Sequence, residues 1–156
     1  MKLLVGVDGS TESMAALDYA IDLVDAFDGS ITIMHVVSPT VTDLGGDEPI
    51  SFADVSDRLI REGLEDAEQR GERVLETASE MLQERGVSGA TSLAYGDPAT
   101  TIVDAATAGG FSGIVIGHRG RSGRAAVLVG SVAKTVVERA VTPVTIVRAE
   151  RTTGET

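Results

Sequence analysis

The stretch GIVIGHRGRSGRAAVLVGS, residues 113–131, carries the reading of this chain. It opens on GIVIG, continuously apolar, as a strand buried on both faces of a parallel sheet must be. It then turns into a loop rich in glycine and arginine, Gly117-His118-Arg119-Gly120-Arg121-Ser122-Gly123-Arg124. It ends at Gly130-Ser131, where a helix is predicted with Ser131 as its cap, running through Ala140. A strand feeding a helix through such a loop is a unit of an α/β fold, with ligand chemistry at the strand's carboxyl end.

The charge of this stretch is out of keeping with the rest. The formal net charge is −11, from 24 Asp plus Glu against 13 Lys plus Arg, yet no acid occurs between Ala105 and Val137. That window holds Arg119, Arg121, Arg124 and Lys134. Glycines at 117, 120 and 130 let phosphate oxygens approach the backbone without meeting a Cβ. The helix start offers N–H groups and partial positive charge. Ser131 is placed to donate its hydroxyl to a phosphate as well as to cap. The competing reading is a plain surface turn with ordinary arginines, and the acid-free window argues against it. No G-x-x-x-x-G-K-[ST] is present, and no G-x-G-x-x-G follows the first strand, so neither a P-loop nor the dinucleotide fingerprint supplies the site.

Outward from this stretch, apolar runs alternate with amphipathic ones. Strands are predicted at 3–7, 30–37, 90–95, 113–117 and 144–147. Helices run from Ser10 to about Phe27, from Asp57 to Arg85, from the Asp97-Pro98 cap to Gly109-Gly110, and from Ser131. In the long helix, Ile60, Leu64, Ala67, Gly71, Val74, Ala78 and Met81 form the apolar stripe. Residues 38–55 read as a flexible lid or cover, and the polar tail 149–156 as frayed. The pattern β-α-β-α-β-α-β-α-β, with right-handed crossovers, predicts one domain over 1–148: a doubly wound parallel sheet with helices on both faces.

Composition narrows the function. With 42% apolar residues, 3% aromatics and no Trp, the core must be aliphatic. There is no cysteine, hence no disulfide or thiolate metal site. The apolar run at 3–7 is too short for a signal peptide or membrane span, which points to the cytoplasm. The acidity disfavours nucleic acid and anionic membranes as partners and is like that of a salt-adapted surface.

Asp8, at the end of the first strand in Val7-Asp8-Gly9-Ser10, suits ribose hydroxyls or a base amino group; the alternative is a turn aspartate accepting local N–H bonds. The backbone of Val36, at the end of the second strand, suits an adenine edge. His35 reads as a packed histidine. For His118, a phosphate contact and solvent exposure both stay open. Asp97 reads as a cap. No metal cluster or nucleophile–base pair stands out.

Taken together, these residues resemble the universal stress proteins, in their ATP-binding branch. Gly117, Gly120 and Gly130-Ser131 match that family's G-x2-G-x9-G-[ST] motif. Val5 to Ser10, Met34 to Val37 and Thr142 to Val147 resemble its first strand, second-strand end and closing Pro-Val strand. Gly6 departs from the Pro often found there. The resemblance implies a Rossmann-like sheet of order 3-2-1-4-5. It implies ATP, with Mg2+ as a plausible companion, held by Val7, Asp8 and Val36 at the nucleoside and by Gly117, Arg119, Gly120, Gly130, Ser131 and Val132 at the phosphates. It implies a homodimer through strand 144–147. Three functions compete: an ATP-binding stress or signalling protein, a slow ATPase or nucleotidyl transferase, and a dimeric scaffold that ignores nucleotides. AMP and cyclic AMP compete with ATP as the ligand.

Overall fold

The computed structural model describes residues 1–38, 57–119 and 129–149, with backbone alone at 57–62. The reading of 38–55 as a lid falls almost wholly outside them, as do Gly120, Arg121, Arg124 and all but the first residue of the tail. The elements are β1 (Lys2–Gly6), α1 (Thr11–Phe27), β2 (Ser30–Val37), α2 (Asp57–Arg85), β3 (Gly89–Tyr95), α3 (Pro98–Ala108), β4 (Gly113–Gly117), α4 (Ser131–Arg139) and β5 (Val144–Val147). They form one parallel sheet of order β3-β2-β1-β4-β5.

The apolar runs become central strands because both their faces are covered. Leu3 and Val5 pack with α1 and α2 residues such as Leu17, Ile21, Leu75 and Ala78. Leu4, Ile114 and Ile116 pack on the opposite face with Ile102, Ala106, Ala133 and Val136 of α3 and α4. Leu4 and Val5 are fully buried, each worth on the order of 2 kcal/mol.

The long helix is rotated slightly from the predicted stripe. Leu75 and Leu82 are buried along with Ala67, Gly71 and Ala78, while Val74 and Met81 are half-buried and Ile60 lies outside the described side chains. The buried set follows i, i+4, i+8, i+11 and i+15, so the stripe drifts with the 3.6-residue period. Arg85 fastens the far end of α2 to Asp18 and Asp22 of α1. Tyr95 donates to Glu68 Oε1 at 3.0 Å, and that bond raises its pKa.

Caps behave as local chemistry dictates, with one correction. Ser10 caps α1, accepting from the Ser13 N–H, and Asp97 caps α3, its carboxylate accepting from the Thr100 N–H at 3.0 Å. At α4 the cap is Gly130, with no side-chain bond, and Ser131 is the first helical residue. The helix also stops at Arg139, one residue short of the prediction.

The Thr100 backbone bond, with a further bond to the Thr100 side chain, holds the Asp97 carboxyl below its ordinary pKa. A depressed carboxylate contributes stability above its unfolded pKa and loses it as pH falls through the folded one. Asp97→Ala is therefore expected to cost about 1 kcal/mol near neutral pH. The gap from the parent protein should narrow below about pH 4, as read by urea unfolding across pH.

Candidate functional site

The carboxyl ends of β1 and β4 lie side by side where the strand order reverses, and ligands of open α/β sheets bind outside such a point. Val7 continues from β1: its N–H donates to the Met34 carbonyl at 2.9 Å. Its own carbonyl lies 2.8 Å from His35 Nδ1. A carbonyl only accepts, so that ring nitrogen carries the proton. His35 is thus the packed histidine expected, and it reaches α2: a Cβ at Gly71 would fall 2.6 Å from His35 Cδ2.

Asp8 sits in a wound turn. Its Oδ1 accepts the Ser10 N–H at 2.9 Å, its N–H donates to Ser13 Oγ at 3.2 Å, and Ser13 Oγ donates to the Ser10 carbonyl at 3.1 Å. The local-turn role of Asp8 is therefore real. Ser13 is buried and organises the turn; sequence reasoning missed it, since a serine three residues after a capping serine carries no signal of its own.

The direction of the Val36 backbone follows from strand alternation. The Val37 carbonyl accepts from Gly96, in line with β3, and the Met34 carbonyl accepts from Val7, in line with β1. Successive residues face opposite neighbours, so the N–H and C=O of Val36 face the β1 side, past the last β1–β2 rung at Gly6 and Met34.

At β4 the expected glycine cradle changes meaning in part. A Cβ at Gly117 would lie 2.7 Å from the Glu12 carbonyl carbon and 2.9 Å from the Ser13 nitrogen. Gly117 is bare because the first turn of α1 rests on it. Arg119 Nη2 lies 3.9 Å from Glu12 Oε1, and Glu12 Oε2 accepts the Ala149 N–H at 2.7 Å. The same acid thus joins α1, the start of the loop and the exit from β5. His118 is not solvent-exposed: it retains 6% exposure, and its Nε2 has no hydrogen-bond partner. Its N–H donates to the Val147 carbonyl and its carbonyl accepts the Gly130 N–H, both at 2.8 Å. The buried imidazole is therefore tied by its backbone to the start of α4, whose Ser131 and Val132 are exposed. A buried ring nitrogen left unpaired costs about 1–3 kcal/mol, beside a helix start that has no side-chain cap.

On the α1–α2 side of Asp8 a cleft of about 360 Å³ opens, lined by Asp8, Gly9 and Met14 and by Arg70, Arg73, Val74 and Thr77 of α2. The α2 set is spaced i, i+3, i+4, i+7, one helical face. That spacing was legible in the sequence, but nothing there showed that this face would meet Asp8. Among the described residues no group of three or more His, Cys, Asp or Glu could hold a metal, and no helix is long and apolar enough to cross a membrane.

The profile of the universal stress protein family matches residues 1–148. The chain belongs to the universal stress protein family. This universal stress protein is 36% identical to universal stress protein YxiE of Bacillus subtilis (strain 168) over 147 residues, covering 94% of this chain and 98% of that one. Its fold is similar to that of universal stress protein UspA from Lactobacillus plantarum, with a TM-score of 0.80 at 24% identity, covering 95% and 97% of the two chains. A universal stress protein solved in complex with cAMP has a TM-score of 0.69 at 24% identity, covering 96% and 98%. A universal stress protein family protein from Arabidopsis thaliana solved with AMP bound has a TM-score of 0.67 at 18% identity, covering 96% and 92%.

In this universal stress protein Gly117→Ala would press a methyl group on backbone atoms of α1, which cannot swing aside. It is expected to cost about 1–3 kcal/mol in chemical denaturation. The loss should appear in the protein free of any nucleotide, whereas a glycine needed only by a ligand would show no loss there.

Proposed function

We propose that this protein binds an adenine nucleotide, ATP foremost, and acts in the cytoplasm as a homodimeric stress or signalling regulator switched by nucleotide occupancy. The observation that carries this is the start of α4. A nine-residue helix begins at Ser131 after Gly130, which gives no side-chain cap, against the backbone of a buried His118 whose Nε2 is unpaired. An anion with several oxygens answers the open N–H groups of that helix start. The surrounding acid-free sequence removes the repulsion that this acidic chain would otherwise impose.

The residues present fit an adenine nucleotide. Val7, Asp8 and the Val36 backbone would hold the nucleoside. Arg119, Gly130, Ser131 and Val132 would take the phosphates, joined by Gly120 from the undescribed part of the loop. Gly117 contributes by letting α1 close on β4. Mg2+ would accompany the phosphates rather than sit in a protein cage. The AMP and cAMP complexes of structural neighbours support the adenine class and keep AMP and cyclic AMP as rival ligands. For the homodimer, β5 ends the strand order, and Val137 and Val141 near it are exposed at 53% and 85%. An open edge of this kind favours pairing with a second copy.

Mass spectrometry of small molecules released from the freshly purified, denatured protein should show ATP. Gly130→Val should abolish its retention and the thermal shift with added ATP. Absence of a shift with ATP, AMP and cyclic AMP alike would overturn the reading in favour of a nucleotide-independent scaffold. ADP release above a buffer blank, lost in Ser131→Ala, would turn it towards slow hydrolysis. Sedimentation should show a dimer at micromolar concentration.

A further inference from the structure

No acid occurs in the sequence between Ala105 and Val137, yet the fold brings one up to that stretch from α1. Glu12, in the first turn of α1, lies with Oε1 3.9 Å from Arg119 Nη2 and takes the Ala149 N–H on Oε2 at 2.7 Å. An acid in a first helical turn is ordinarily accounted for by the helix dipole. Glu12 does more: it reaches out of its own helix to the loop and to the exit from β5. It has little room to draw back, because α1 is seated on β4 there. A Cβ at Gly117 would lie 2.7 Å from the Glu12 carbonyl carbon. The Glu12 side chain retains 17% exposure and that of Arg119 27%, so solvent screens the pair less than an open surface pair.

The two contacts of Glu12 differ in kind. The one at 2.7 Å is a charge-assisted hydrogen bond; the one at 3.9 Å is coulombic, beyond hydrogen-bond reach. A phosphate offers a guanidinium a fork of short charge-assisted bonds, which is the stronger contact. Arg119 follows directly on His118, whose carbonyl accepts the Gly130 N–H at 2.8 Å, so its backbone is rooted beside the α4 start. In the nucleotide reading above, on which this inference rests, the phosphates come to that start. They then compete with Glu12 for Arg119. The Ala149 bond keeps the carboxylate in place when Arg119 leaves it, and its repulsion of the ligand grows with the ligand's charge. We propose that Glu12 is a specificity-determining residue of this site. It holds Arg119 in the free protein, yields it to the ligand, and lowers the affinity for a triphosphate more than for a monophosphate. Glu12 thereby narrows the margin between ATP and its rivals AMP and cyclic AMP.

The test is calorimetric titration of the full chain with ATP and AMP at low ionic strength, for the parent protein, Glu12→Gln, Arg119→Gln and the double variant. Glutamine keeps an oxygen for the Ala149 N–H and removes the charge. Glu12→Gln should tighten ATP on the order of fivefold and AMP about twofold or less, and the ATP gain should fade as salt is raised. In the Arg119→Gln background the same change should alter ATP affinity by about twofold at most. Glu12→Asp, which keeps the charge, should stay nearer the parent than Glu12→Gln in its ratio of ATP to AMP affinity, which a merely structural role would not produce. One reading needs no variant: ATP should shift the Ala149 amide resonance of the parent protein, since the carboxylate that it bonds loses Arg119. If that resonance stays unmoved at saturating ATP, or the affinity ratio is unchanged in Glu12→Gln, or the gain survives in full without Arg119, the role of Glu12 is overturned and the nucleotide site stands. If neither ATP nor AMP binds the parent or any variant, the nucleotide reading falls and the role of Glu12 with it.

Discussion

The first turn of α1 rests directly on the end of β4, backbone against backbone, because residue 117 has no side chain. That contact governs the carboxyl end of the sheet. It brings Glu12 within reach of Arg119 and of the Ala149 N–H, so one carboxylate holds α1, the start of the loop and the exit from β5 together. It also fixes the Asp8–Ser13 turn, which is wound from the same helix start. With a methyl group at 117, α1 would have to lift, and the crevice between β1 and β4 would change shape with it.

Two histidines are held at this end of the sheet, one through its ring and one through its main chain. His35 gives its Nδ1 proton to Val7 and presses its ring on Gly71, joining the end of β1 to α2. His118 is buried at the other side, linked through its main chain to β5 and to the start of α4.

Some of this was readable from residues in order. Strand ends and helix starts fell close to their predicted positions because they depend on local rules: continuous apolar runs, a serine or aspartate before a helix, proline at its first position. The strand order 3-2-1-4-5 was what the resemblance to the universal stress proteins implied, and the sheet has it. The α2 stripe and the cap of α4 were read less accurately. The stripe was displaced because the 3.6-residue period carries Leu75 and Leu82 onto the buried face over a long helix. The cap was displaced because Gly130 can take the cap conformation itself, leaving Ser131 to begin the helix.

The linear chain alone determined the α/β class, the candidate phosphate loop and the turn at Asp8, because each is written in neighbouring residues. Only the tertiary structure decided what Gly117 is for, where His118 goes and which residues share the cleft with Asp8. Those are relations between atoms far apart in the chain, such as Gly117 with Glu12 or Asp8 with Arg70. No local propensity encodes them; they arise when packing of helices on a twisted sheet sets which side chains have room and which must be absent.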